Sequence, residues 1–145
     1  MASRLTRAQV LTNKPTQKLE YYSDFTNSFS VFPVDGKLGR VLNDNSITQA
    51  IKNILFTNKG ERPFQPTIGS EINRLLFEHN IPSNLSIVET YIKNAIELHE
   101  PRVRQFKIKA YPSDRNEHEV FVAIAYTTIN SSEPVTFTVL LKRVR

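Results

Sequence analysis

Five carboxylates are the residues of this chain whose type suits acid–base work: Glu61, Glu71, Glu78, Glu97 and Glu100. Glycoside hydrolysis needs two such groups, held about 5–9 Å apart. Glu71 and Glu78 lie two turns apart on one helical stretch, which separates them by about 10 Å. Glu97 and Glu100 are closer, but they sit at a helix end that disfavours negative charge. Of the three histidines, His79 precedes a helix stop, His99 lies on an apolar helix face and His118 falls in a turn. None has a partner at the spacing of a metal-binding helix. Cysteine is absent, so there is no thiolate nucleophile, disulfide framework or thiolate metal site. The four glycines, at 36, 39, 60 and 69, are scattered and form no phosphate loop. This pattern predicts no catalytic residue, no metal, no cofactor and no small-molecule substrate.

The segment "ELHEPRVR", Glu97 to Arg104, raises a different possibility. Pro101 removes a backbone donor and drives Glu100 out of the helical region. In an extended chain Glu100 and Arg102 project to the same side. A surface ion pair there contributes about 0–1 kcal/mol. The alternative is a stiff corner that presents the five-donor guanidinium of Arg102 to a partner.

The elements around this corner follow from periodicity. The aromatics Tyr21, Tyr22, Phe25, Phe29 and Phe32 form no helical stripe, and residues 1–40 read as an extended arm whose aromatics dock onto a body. Ile47, Ala50, Ile51, Ile54 and Leu55 then mark a half-buried helix, with Asn43, Asp44 or Asn45 to cap it and Gly60 and Pro63 to stop it. A second helix runs from Gly69-Ser70 through Ile72, Leu75, Leu76 and Phe77 and breaks before Pro82. A third begins at Ser83 or Asn84, with Leu85, Val88, Ile92, Ala95, Ile96 and His99 inward. Beyond the corner the period becomes two. Phe106, Ile108 and Ala110 alternate with polar residues, "EVFVAIAYTTI" reads as a central strand buried on both faces, and Val135, Phe137, Val139 and Leu141 mark a third strand. The expected class is α+β, three helices on a three-stranded antiparallel sheet, with the arm at 1–40 and the folded domain at 41–145.

The net charge of +5 divides into +3 over residues 1–40, −2 over 41–100 and +4 over 101–145. Such dispersed charge suits polar protein contacts better than a nucleic-acid patch, although a basic nucleic-acid adaptor remains an alternative. No apolar run reaches the roughly 20 residues of a membrane span, and no secretory core opens the chain, so a soluble, unexported protein without membrane contact is expected.

"GERPFQPTIGSEINRLLFE", followed some twenty residues later by "HEPRV", resembles the baseplate wedge, or tail-sheath initiator, family of contractile phage tails, which includes the corresponding type VI secretion subunit. Gly60, Glu61, Arg62, Pro66, Gly69, Leu76, Phe77 and Glu78 match the first motif, and Glu100, Pro101 and Arg102 the Glu-Pro-Arg signature. The resemblance spans about residues 40–145, and the long arm is similar to the T-even form. It implies a late structural protein of the virion, without enzymatic activity, assembled in the host cytoplasm into a sixfold inner baseplate. Some members have been labelled lysozyme-like, which keeps a small lytic enzyme as the other alternative. The implied partners are the tail sheath protein and other wedge proteins, including a helical core bundle. Glu100, Pro101 and Arg102, with Arg104 beyond them, would contact the wedge. The open sheet would template sheath polymerisation by strand addition, through residues 103–111 or through an edge at Val135, Phe137, Val139 and Leu141.

Overall fold

The computed structural model describes residues 21–76, 81–113 and 119–142. Phe77, Glu78, His79, His118, Arg143 and Arg145 lie outside the described residues, as does the arm before Tyr21. The order is β1 (Ser23–Phe25), β2 (Arg40–Leu42), α1 (Asn43–Phe56), α2 (Ile72–Leu76), α3 (Ile81–His99), β3 (Val103–Pro112), β4 (Glu119–Thr128) and β5 (Ser131–Lys142). The fold is α+β, as the change of period from helical to two indicates.

Both sheets are antiparallel: β1 pairs with β2 in a small ribbon, and β3-β4-β5 form the main sheet. The helices cover one face of that main sheet. Ile47, Ile51 and Leu55 of α1, Val88, Ile92 and Ile96 of α3, and Val120, Val122, Ile124 and Tyr126 of β4 share one core. The Tyr126 hydroxyl crosses that core, donating to Asp44 O at 2.8 Å and meeting Thr48 Oγ1 at 2.9 Å. This link fixes the start of α1 over the central strand. Burial pushes the Tyr126 phenol above its ordinary range, opposed by the Thr48 hydrogen bond.

The loop between α1 and α2 closes on itself. Ser70 N–H donates to Thr57 O, and Ser70 Oγ donates to Leu55 O at 2.8 Å. Gly69 sits where these strands of chain touch, at φ 133°, and a Cβ there would fall 2.6 Å from Thr57 O. Only glycine fits.

Four expectations are corrected. Helix α3 starts at Ile81, so Pro82 lies in its first turn, where a missing N–H costs nothing. At α1 the cap position is Leu42, which makes no side-chain cap bond, while Asn43 Oδ1 accepts from the N–H groups of Tyr21 and Tyr22. Strand β4 is buried on one face only; its other face carries Phe121, Ala123 and Ala125 at 39% exposure or partly covered, because the helices form a single layer. Finally, of the arm's aromatics only Tyr22 packs against the core, while Tyr21, Phe25, Phe29 and Phe32 are all more than half exposed. The short ribbon holds this segment through backbone pairing and through Gln49 Nε2, which donates to Phe25 O at 2.7 Å. The aromatic rings are left over.

Candidate assembly surfaces

The Glu-Pro-Arg corner joins α3 to β3. Glu100 N–H closes the last turn onto Ile96 O, and Pro101 then turns the chain. Arg102 donates to Glu100 with both Nε, at 2.6 Å to Oε1, and Nη2, at 2.7 Å to Oε2. The expectation of an exposed pair is corrected. The Glu100 side chain is 3% exposed and that of Arg102 30%, so the corner is a partly buried brace. The other face of the guanidinium covers the Tyr22 ring at 5.5 Å, which clamps the arm to the same corner. The hydrogen bonds that Arg102 donates to Glu100 raise its pKa further and keep it charged. Pro101 is exposed beside them. Arg104 lies one step further, exposed, and lines a groove rather than the corner.

That groove is open, about 930 Å³ in volume, and runs from between α3 and β3 across to Thr127 of β4 and Pro134 of β5. Glu89 and Thr90 line it from the helix, and Arg104, Phe106 and Ile108 from the strand. Its upper end is marked by one hydrogen bond: Ala110 N–H donates to Glu89 Oε1 at 2.8 Å. The Ala110 N–H therefore faces away from β4. Because the direction alternates along an antiparallel strand, the N–H and C=O groups of Phe106 and Ile108 face the groove as well. Glu89 was not identified in the sequence. Its only signal is its place beside Val88 on the edge of the apolar stripe.

The opposite edge is different. Ala110 registers with Val122, and Val122 with Val139. With Ala110 turned outward, Val122 and Val139 must bond each other, and the outward positions of β5 are Thr136, Thr138 and Leu140. Val139 and Leu141 are buried at 4% and 2% exposure, and Val135 and Phe137 pack against the core. The four residues expected to present an edge instead build the interior, since their side chains meet the helices and their backbone groups point into the ladder.

The carboxylates are engaged in structure. Glu71 pairs with Lys59 at 3.1 Å, Glu97 with Lys93 at 3.9 Å, and Glu61 Oε2 accepts from Asn58 N–H at 2.8 Å. Glu89 and Glu97 both line the groove, but eight residues of helix put them about 12 Å apart, beyond the glycosidase range. Among the described residues no cluster of three or more acidic or histidine side chains could hold a metal, and no helix is long and apolar enough to cross a membrane.

The unit is thus two-layer α+β, with a braced corner, an open sheet edge and these acids held in ion pairs or backbone hydrogen bonds. The chain belongs to the baseplate wedge protein gp25 family, whose model matches residues 42–133. It is 29% identical over 98 residues to baseplate wedge protein gp25 of Enterobacteria phage T4, covering 68% of this chain and 74% of that protein. Its fold is similar to that of a Geobacter sulfurreducens protein described as a tail lysozyme, with a TM-score of 0.62 and 25% identity over 68% of this chain and 89% of the other. It is also similar to a chain of the type VI secretion baseplate complex, with a TM-score of 0.60 and 11% identity over 69% and 93%. The protein is thus a structural component of a contractile-tail baseplate, a virion part that contacts other baseplate proteins.

Proposed function

We propose that this subunit initiates the tail sheath by accepting an extended segment of sheath protein along the free edge of β3. The observation that carries this reading is the Glu89–Ala110 hydrogen bond, which sets the outward direction of the strand and so turns Phe106 and Ile108 toward the groove. An incoming strand would gain backbone hydrogen bonds from those two residues and lie against the polar side of α3. Pro101 and Arg102, held in place by the buried Glu100, form the side that meets the helical core bundle of the wedge, with Arg104 at the groove mouth contacting the incoming segment. Copies stand in a sixfold ring, put together in the host cytoplasm, and the role needs no catalysis. The engagement of the carboxylates in ion pairs and backbone bonds supports this, and purified protein is expected to leave a cell-wall suspension turbid.

Sheath polymerisation on reconstituted baseplates tests the edge. Ile108→Pro deletes an outward donor, whereas Ile108→Ala removes the same side chain and keeps it. The proline variant should fail to nucleate sheath and the alanine variant should succeed. Thr138→Pro, at an outward position of the other edge with an exposed side chain, should also succeed. Normal nucleation by folded Ile108→Pro contradicts the reading.

A further inference from the structure

The face of the main sheet turned away from the helices carries an ordered pattern of its own. Tyr111, Phe121 and Leu140 stand opposite one another across all three strands, 51%, 39% and 43% exposed. The next two rows are Lys109–Ala123–Thr138 and Lys107–Ala125–Thr136. On the far side of the aromatic row, Glu119 is paired with Lys142 at 3.3 Å. Lys107 and Lys109 are exposed, and among the described residues neither has an ion-pair partner. No described element packs on this face.

We infer that the outer face of the sheet is a docking surface for an acidic amphipathic helix of a neighbouring protein. Three strands about 4.8 Å apart make a floor about 10 Å wide, which is the width of one helix. The aromatic row supplies apolar area to one end of such a helix. Ala123 and Ala125 leave the middle low enough for it to settle, and the two lysines along β3 meet carboxylates on its flank. A strand adding to the β3 edge extends the sheet in its own plane; Lys107 and Ala125 lie where this surface meets the groove, while Lys109, Ala123 and the aromatic row lie outside it and stay free when the groove is filled. The domain supplies two layers, and the third comes from the partner.

The test uses the full chain and two synthetic helical peptides of about 18 residues, or five turns. Both carry a leucine stripe; one flanks it with glutamate and the other with lysine. Binding is followed by fluorescence anisotropy and located by amide chemical shifts. The glutamate peptide should bind at least about tenfold more tightly and perturb Phe121, Ala123 and Leu140. The double variant Lys107→Glu/Lys109→Glu should reverse the preference, and Phe121→Ser should weaken binding with the thermal midpoint preserved. Ile108→Pro should leave this binding unchanged, which separates it from the sheath-nucleating role. Equal binding of the two peptides would overturn the inference. So would perturbations confined to Phe106 and Ile108, or displacement of the glutamate peptide by an equal concentration of a single-stranded oligonucleotide, which would reveal a generic polyanion site.

Discussion

The two outer strands of the main sheet pair with the same central strand, yet their edges differ. Beside β3 runs α3, close enough for Glu89 to take the Ala110 N–H and leave an open groove below it. Along β5 the register with β4 is broken between Tyr126 and Thr128, and Pro134, which has no donor to offer, sits in that break at the far end of the groove. A proline on an edge is a common guard against stray pairing. The β3 edge has a flanking helix instead, which narrows what can approach without closing the edge. One edge is guarded and the other is shaped, and on the proposed function that asymmetry would give the sheet a direction of growth.

The largest way to break this comparison is at the strand junction itself. Val139→Pro removes a ladder bond to Val122 and a side chain that is 4% exposed, and should cost on the order of 3 kcal/mol or more. Chemical denaturation checks it. A folded, near-wild-type Val139→Pro would show that the backbone groups of β5 point the other way. Arg102→Ala comes next. It strands a carboxylate 3% exposed and should cost about 1–3 kcal/mol, less than for a fully buried pair because Arg102 is partly solvated. Arg102→Lys should recover only part of this, since a single ammonium cannot reproduce the two-pronged contact.

The smallest effect lies in the central strand, which serves both edges equally. Tyr126→Phe loses the links to Asp44 and Thr48 and should cost about 1 kcal/mol without favouring either edge. Its sign with pH is set by the raised phenol. Because the folded group holds its proton more tightly than the unfolded one, this contribution is complete below about pH 10 and is lost as pH climbs through the raised value. Melting curves between neutral and strongly alkaline pH should therefore fall less steeply for the phenylalanine variant.

Periodicity made the elements legible, because the stripe through Ile47, Ile51 and Leu55 and the alternation through Phe106 and Ile108 each bury one face. It could not say how many layers would cover β4. An apolar run is compatible with burial on both sides or with a sticky outer face, and Phe121 is the residue that distinguishes them. Pro82 was ambiguous for the same kind of reason, since proline ends one helix and opens another equally well. At the site, "EPR" announced a corner but not its depth, which is set by the arm and by Tyr22 folding over Arg102. The Glu89–Ala110 bond spans 21 residues and leaves no local trace, so the sequence leaves two candidate strands for the proposed receptive edge.

Amide hydrogen exchange, read residue by residue with and without the sheath protein, tests the central claim most directly. Phe106 and Ile108 should exchange quickly in the free subunit and become protected in the complex, while Thr136 and Thr138 keep their free rates. Protection of Thr136 and Thr138 with Phe106 and Ile108 unchanged would put the incoming strand on the other edge and contradict the account.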